Sequence, residues 1–255
     1  MALSHEKTLT IAAQATNLCY NDHMIIFDFN QVAISNLMEQ IGSSKTAVEE
    51  SLVRHMILNS LRTYVKKFRD SHGPEVIIAC DNKKYWRRDI FPHYKASRKK
   101  IREASGHDWA AIFDCLSKIK QELKDYSPYK VIDVDTAEAD DIIAVLAMKY
   151  SATQKVMILS SDKDFAQLQK FPNVEQYSPI LKKYIREPLP AAQLKQLIIR
   201  GDKGDGIPNI ISADEMWMKE SNAYSGTRWI TIKFNVEDKE VQQSDPLNPE
   251  INFYF

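Results

Sequence analysis

Aspartate recurs in this sequence where a short apolar run ends. Asp28 follows the run 24–27, and Asp81 follows the run 76–80. The run 156–159 leads through two serines to Asp162 and Asp164. Other carboxylates follow the run 130–134 or lie in a glycine-rich turn at 201–206, namely Asp135, Glu138, Asp140, Asp141, Asp202 and Asp205.

Carboxylates at these positions predict a metal site. If the apolar runs are parallel strands of one open α/β sheet, their carboxyl ends share one edge, where such sheets bind ligands. Carboxylates from distant parts of the chain would then meet in one cleft. Like charges this close force protonation unless hard cations neutralise them, and carboxylate oxygens suit Mg²⁺. The pattern therefore predicts a pair of Mg²⁺ ions.

Each carboxylate taken alone also has a structural explanation. Aspartate is common in turns and at helix N-caps, so Asp28 or Asp81 by itself is more often structural than functional. The coincidence of all these positions on one predicted edge favours the metal interpretation.

Composition limits the class of protein. The chain has 255 residues, 44% of them hydrophobic, which suffices for one large domain or one domain with a small addition. No run approaches the roughly 18 apolar residues that a membrane span needs, and the N-terminus lacks a secretory pattern. The 3 cysteines are odd in number and lack metal-ligand spacing. We expect a cytoplasmic protein with reduced thiols and no membrane partner.

Charge is unevenly distributed along the chain, although the net charge is zero. Residues 83–102 include nine basic residues and the single acid Asp89, which gives this segment a net charge of +8. A basic run is usually a solvated face, but here four aromatic residues interleave with the charges, and bases can stack on such rings. They could equally pack the segment onto the domain. A basic stripe together with an acidic cleft suits a polyanion that is hydrolysed at metal ions.

Strand and helix patterns alternate along the chain. This alternation predicts an α/β fold with a mainly parallel central sheet that helices cover on both faces. The basic segment 83–105 interrupts the pattern as a loop or loosely helical insertion. Strands are predicted at 24–29, 75–81, 130–134, 155–160, 174–177 and 183–186, and helices at 46–70, 109–125, 138–149, 163–170 and 189–200.

Three regions are predicted. Residues 1–23 form an N-terminal extension, residues 24–210 the main domain, and residues 211–255 a divergent or truncated C-terminal region. Within the last, residues 229–236 alternate between apolar and polar like a strand. We expect this lone strand to pair with an edge of the main domain or to be mobile, and not to build a separate hairpin.

Four segments carry a resemblance to a known family. Residues 86–98 resemble the start of the basic helical arch of the flap endonuclease and 5′-nuclease superfamily. Residues 136–141, 160–165 and 201–208 resemble its acidic helix start, its second-metal strand end and its junction with a helix-hairpin-helix module. Order and spacing agree over roughly residues 24–210. Within the superfamily the chain is most similar to the phage-type ribonucleases H.

The resemblance implies a PIN-like fold and a role for each motif residue. Asp28, Asp81 and Asp140, with Glu138 partly through water, would hold the first Mg²⁺. Asp162, Asp164 and Asp205 would hold the second, with Asp202 and Asp141 outside them, and Mn²⁺ would substitute. The choice of Asp140 over Asp141 rests on the resemblance alone. Lys95 and Arg98 would contact the scissile phosphate. The implied nucleic-acid contacts are Lys83, Lys84, Arg87, Arg88, Tyr94, Lys99, Lys100, Arg102, Gly201, Gly204 and Gly206.

The implied activity is 5′→3′ exonuclease and flap endonuclease cleavage of DNA and RNA–DNA hybrids, as in RNA-primer removal during phage replication. The implied protein is a monomer in the host cytoplasm, with a sliding clamp or single-strand-binding protein as partners. Two alternatives stay open: a catalytically weak junction-binding protein, and a small acidic-site ribonuclease of related fold. The filled acidic positions argue against the first, and the basic segment and glycine turn against the second. Residues 210–216 lack the hairpin glycines of the family, which puts its duplex-anchoring module in doubt.

Overall fold

The computed structural model describes residues 5–14, 23–41, 49–210, 231–234, 240–244 and 253–254. The chain divides into two compact units. The larger unit comprises residues 1–86 and 106–190, and the smaller unit comprises residues 87–105 and 191–255.

A six-stranded sheet forms the centre of the larger unit. The strands are β1 (Met24–Asp28), β2 (Glu75–Ala79), β3 (Lys130–Ile132), β4 (Val156–Leu159), β5 (Val174–Ser178) and β6 (Lys183–Ile185). Their order in the sheet is β3-β2-β1-β4-β5-β6; the first five strands are parallel, and β6 is antiparallel to β5. The predicted mainly parallel sheet is therefore confirmed.

The strand register explains why the carboxylates leave the sheet at one edge. Asp28 pairs with Ala79 of β2, and Asp81 lies two residues after Ala79 in the chain. Phe27 pairs with Leu159 on the other side, and residues 160–164 continue from there. Because these strands are parallel, all three ends point in one direction.

Helices cover both faces of the sheet. Alternate residues of β1 enter separate core clusters, with Ile25 and Phe27 in one and Met24 and Ile26 in the other. The first cluster includes residues of α2, α3 and α6, and the second includes residues of α1 and α7. The helices are α1 (His5–Gln14), α2 (Phe29–Ile41), α3 (Glu50–His72), α4 (Arg87–Ile90), α5 (Ser97–Ser105), α6 (Trp109–Tyr126), α7 (Ala139–Tyr150), a 3₁₀ helix (Lys163–Lys170) and α8 (Pro190–Arg200).

Two helices of the larger unit were not predicted from the sequence. Helix α2 begins directly after Asp28, where the prediction extended the strand to residue 29. Helix α1 lies in the expected N-terminal extension, but its Ile11 is fully buried and packs in the core cluster that contains α7. Helix α1 therefore contributes Ile11 to the hydrophobic core.

The smaller unit contains helices α4, α5 and most of α8, so the basic segment is helical over much of its length. It also contains an antiparallel sheet in which β7 (Thr231–Phe234) pairs with β8 (Glu240–Ser244), and β8 pairs with β9 (Phe253–Tyr254). The prediction of a lone strand at 229–236 is therefore wrong: β7 finds its partner in the next segment of the chain. No helix among the described residues is long and apolar enough to cross a membrane.

Candidate active site

Asp28 lies at the end of β1 and is the most deeply buried carboxylate of the three strand ends. Its Oδ1 accepts a hydrogen bond from the backbone N–H of Gln31 (3.1 Å), and its Oδ2 accepts one from Ser160 Oγ (3.0 Å). Burial, followed by the negative charges of Asp81 and Asp162, raises the pKa of Asp28 to about 7. Carboxylates from three strand ends thus lie close enough to interact.

Asp81 is held by donors from two different elements. Its Oδ1 accepts a hydrogen bond from the backbone N–H of Ala139, the first residue of α7 (2.7 Å). Its Oδ2 accepts one from the side-chain amide of Asn30 in α2 (2.6 Å). The carboxylate is therefore fixed in orientation by neutral donors that leave its charge uncompensated.

The start of α7 presents Glu138, Asp140 and Asp141. Asp141 is 6% exposed and accepts hydrogen bonds at Oδ2 from the backbone N–H of Glu138 (3.0 Å) and from the indole of Trp86 (3.0 Å). Glu138 is buried, and Asp140 is half-buried. Asp141 therefore stabilises the first turn of the helix, where carboxylates also gain from the helix dipole.

The turn after β4 places Asp162 and Asp164. Asp162 caps the 3₁₀ helix, because its Oδ1 accepts a hydrogen bond from the backbone N–H of Asp164 (2.9 Å). Gln176 of β5 is buried and donates to the carbonyl oxygens of Ser160 (3.0 Å) and Asp162 (2.6 Å). The neighbouring strand therefore holds this turn in place.

The chemistry of this donor set fits a divalent cation. The carboxylates of Asp81 and Asp162 both repel that of Asp28, and a hard cation would relieve that repulsion. Across the described residues, no three Asp, Glu, His or Cys side chains converge tightly enough to enclose an ion as they stand. These residues fit a divalent cation by the type and burial of their side chains, although they do not form a closed coordination shell.

Within the smaller unit, the basic segment contacts the glycine-rich turn. The backbone N–H of Lys95 donates to the carbonyl of Asp205 (2.7 Å), and Arg98 Nη2 lies 2.5 Å from Asp205 Oδ1. Arg98 Nε also donates to the carbonyl of Gly204 (3.2 Å). Lys95 has a positive φ of 55°, a strained conformation for a residue other than glycine. Two predicted phosphate-contacting residues and one predicted metal ligand therefore meet here.

The shape of the turn explains its glycines. Asp202 Oδ1 accepts hydrogen bonds from the backbone N–H groups of Gly204 (2.7 Å) and Asp205 (3.1 Å). Gly201 has a φ of 70°, and a Cβ there would lie 2.4 Å from backbone atoms of Pro208. Gly206 has a φ of 73°, and a Cβ there would lie 3.1 Å from the carbonyl oxygen of His93. The turn depends on glycine at both positions.

The predicted nucleic-acid contacts differ in accessibility. Tyr94 is 4% exposed, so its ring packs inside the protein and is not presented for stacking on a base. Lys95 Nζ lies 4.9 Å from the centre of that ring. Arg87 and Arg102 are half-buried. The exposed basic side chains are Lys83, Lys84, Arg88, Arg98, Lys99 and Lys100.

Sequence reasoning missed the neutral residues that orient the carboxylates. Asn30 and Gln31 lie two and three residues after Asp28, and Ser160 precedes Asp162 by two residues. Their proximity in the chain was a usable signal. Their hydrogen-bond partners were not predictable, because Asn30 bonds a carboxylate 51 residues away.

Comparison with known proteins places the chain in a family. Residues 27–196 match the family described as 5′–3′ exonuclease, N-terminal resolvase-like domain. The chain belongs to this family. The resemblance proposed from the sequence motifs is therefore confirmed.

Two curated relatives illustrate the family. Ribonuclease H of Enterobacteria phage T4 is 40% identical over 203 residues, covering 78% of this chain and 66% of the relative. Flap endonuclease Xni of Shewanella sp. (strain MR-4) is 32% identical over 161 residues, covering 57% of this chain and 56% of the relative. The chain thus spans between about half and two thirds of the length of these relatives.

Two solved structures share the fold. A bacteriophage T5 flap endonuclease in a pseudo-enzyme–product complex with DNA and metal ions gives a TM-score of 0.61 at 16% identity, covering 74% of this chain and 70% of that one. A T5 5′-exonuclease with bound zinc gives a TM-score of 0.57 at 17% identity, covering 74% and 70%. This confirms the predicted fold class.

Proposed function

We propose that the chain is a divalent-metal-dependent 5′-nuclease that hydrolyses phosphodiester bonds of DNA and RNA–DNA hybrids, by 5′→3′ exonuclease and flap endonuclease cleavage. The observation that supports it most is the convergence of carboxylates from three parallel strand ends, where the charges of Asp81 and Asp162 add to the effect of burial in raising the pKa of Asp28. Membership of the exonuclease family and the similarity to a ribonuclease H and a flap endonuclease support the same reaction.

The carboxylates divide into two sets of proposed ligands. Asp28, Asp81 and Asp140, with Glu138, hold one ion, and Asp162, Asp164 and Asp205 hold the other, with Asp202 and Asp141 outside them. Two Mg²⁺ ions are proposed, with Mn²⁺ as a substitute. When bound, such ions supply an activated water and stabilise the charge on the leaving oxygen.

The hydrogen bonds of α7 support Asp140 over Asp141 as a direct ligand. Asp141 Oδ2 accepts two hydrogen bonds that keep the helix start in place, one from Glu138 and one from Trp86. Both donors bond the same oxygen, so the two lone pairs of Asp141 Oδ2 are already used, whereas each oxygen of Asp81 accepts only one of the hydrogen bonds described for it. We assign Asp141 the role of holding Glu138 and Asp140 in position.

Lys95 and Arg98 are proposed to contact the phosphate that is cleaved. Fixed positive charges that neutralise the extra charge of the transition state lower the barrier without reorganisation. Lys95 suits this role because its backbone is held by Asp205 and its side chain is largely buried. The exposed lysines and arginines of the basic segment would bind the phosphates of the neighbouring backbone.

We extend the proposal to the setting in which the enzyme works. The similarity to a phage ribonuclease H favours removal of RNA primers during phage DNA replication in the host cytoplasm, by a monomer that meets a sliding clamp or single-strand-binding protein.

Digestion of three labelled substrates tests the proposal. A 5′-flap, a nicked duplex and an RNA–DNA hybrid, each carrying a 5′ label, are incubated with Mg²⁺, with Mn²⁺ or with EDTA. We expect products with 5′-phosphate and 3′-hydroxyl ends in both metals and none in EDTA. Binding of a flap without cleavage in either metal would contradict the proposal and support the junction-binding alternative.

A further inference from the structure

The first turn of α2 contacts the ends of three strands of the larger unit. Gln31 donates its backbone N–H to Asp28 at the end of β1 (3.1 Å). Its side-chain Oε1 accepts a hydrogen bond from the backbone N–H of Ser161, just after β4 (2.5 Å). Asn30 donates its amide to Asp81, which follows β2 (2.6 Å). Asn30 and Gln31, which are adjacent in the chain, thus contact the ends of β1, β2 and β4, the three strands that are followed most closely by proposed metal ligands.

Asn30 has the more specific contact of the two. It bonds one oxygen of Asp81 while Ala139 of α7 bonds the other, so the plane of the carboxylate is fixed by two donors from different helices. Each oxygen keeps a lone pair. Those lone pairs point in directions that the two donors determine.

The chemical type of residue 30 also matters. Lysine or arginine at this position could also donate to Asp81, but its positive charge would cancel the charge that attracts a cation. Aspartate would add another negative charge and could not donate while ionised. A neutral amide orients the carboxylate and leaves its charge intact.

We propose that Asn30 is a positioning residue that orients Asp81 for divalent-cation binding, with Gln31 holding the adjacent strand ends. The inference rests on the proposed function, because it assigns Asp81 to a metal site. Residues that orient metal ligands typically contribute about 10- to 100-fold to metal affinity or activity.

Two measurements on Asn30→Ala test the inference. The first is the Mg²⁺ concentration that gives half of the maximal thermal stabilisation, and the second is the Mg²⁺ concentration that gives half of the maximal single-turnover cleavage rate. We expect both to rise about tenfold or more relative to the wild type, while the rate at saturating Mg²⁺ falls by a smaller factor. Asn30→Leu keeps the approximate size of the side chain, cannot donate a hydrogen bond and adds no charge, so it should also raise both values.

Asn36→Ala is the matched control on the same helix. The amide of Asn36 donates to the carbonyl of Val32 (2.8 Å), and its oxygen accepts a hydrogen bond from Ser60 (3.0 Å). A loss of stability without a change in either half-saturation value is expected there.

The outcomes separate the inference from the function. If the wild type responds to Mg²⁺ and Asn30→Ala has the same half-saturation values, the inference is overturned and the proposed function stands. Loss of stability in EDTA with unchanged Mg²⁺ dependence would show that Asn30 is merely structural, which also overturns it. A wild type without Mg²⁺-dependent stabilisation or cleavage would overturn both.

Discussion

Arg98 and Asp205 form an ion pair in which Arg98 Nη2 lies 2.5 Å from Asp205 Oδ1. The two side chains have opposite proposed roles, since Arg98 would contact a phosphate and Asp205 would hold a metal ion. The side chains are 45% and 19% exposed, so the pair contributes less than about 1 kcal/mol to stability. An interaction this weak can be exchanged for a phosphate and a cation at little cost.

Replacement of Arg98 should therefore affect catalysis more than stability. In Arg98→Ala we expect the single-turnover cleavage rate to fall by about 100-fold, roughly 2.7 kcal/mol of barrier. The free energy of unfolding should change by less than about 1 kcal/mol. Arg69→Ala, at the exposed end of α3, is the control and should leave the rate unchanged. A rate within threefold of the wild type would remove Arg98 from the reaction.

The pKa of Asp28 predicts an unusual pH dependence of stability for the metal-free protein. The folded state holds a proton on Asp28 up to a pH of about 7, whereas the unfolded chain releases it near 3.8. The stability that this proton provides is complete below pH 3.8 and is lost as the pH rises through about 7. In EDTA, therefore, this group should make the protein less stable at pH 8 than at pH 5.

Asp28→Asn tests that expectation. Because asparagine carries no charge, the variant should be more stable than the wild type at pH 8 in EDTA, by about 1–3 kcal/mol, or several degrees in Tm. At pH 5 the difference should shrink. Mg²⁺ should raise the Tm of the wild type at pH 8 and leave the variant unchanged. If the variant is less stable than the wild type at both pH values, the charge of Asp28 does not destabilise the folded protein.

Lys95 and Lys100 should separate rate from binding. Lys95 is largely buried and has a strained backbone, whereas Lys100 is exposed on α5. Lys95→Ala should lower the single-turnover rate and leave substrate affinity within about threefold. Lys100→Ala should weaken binding and reduce the salt dependence of the affinity by about one phosphate contact. Kd measured at several salt concentrations, together with the rate at saturating enzyme, checks both. Equal effects of the two variants on rate and affinity would contradict the assignment.

The centre of the sheet was predictable because β1, β2 and β4 are nearly continuous apolar runs, which is typical of strands buried on both faces. The strand ends followed from the same pattern, and with them Asp28, Asp81 and Asp162. Helix α2 could not be predicted from the sequence, because its start contains Asn30 and Gln31 in place of a strong periodic signal. The pairing of β7 with β8 was missed because Glu240–Ser244 is mostly polar and lacks the alternation that identifies β7.

The predicted site was incomplete for a similar reason. The type and spacing of carboxylates indicate a metal site in the sequence. The neutral groups that orient these carboxylates can be recognised only once their hydrogen-bond partners are known. Trp86 and Asp141 are 55 residues apart, and the sequence holds no sign that the indole bonds the helix start. The burial of Tyr94 was equally hidden, since aromatic residues among basic ones occur both in packed and in nucleic-acid-binding segments.

The most direct test of the account compares cleavage and binding in Asp140→Asn. The substrate is a 5′-labelled flap in Mg²⁺; the single-turnover rate is measured at saturating enzyme, and the Kd is measured in Ca²⁺ by fluorescence anisotropy. The control is Asp125→Asn. Asp125 is an exposed carboxylate near the end of α6, and the hydrogen bonds described for it come from Gln121. The account predicts that Asp140→Asn loses at least about 1,000-fold in rate, roughly 4 kcal/mol of barrier, with Kd unchanged or lower, while Asp125→Asn behaves like the wild type. Cleavage by Asp140→Asn at a rate near that of the wild type would contradict the proposed metal site.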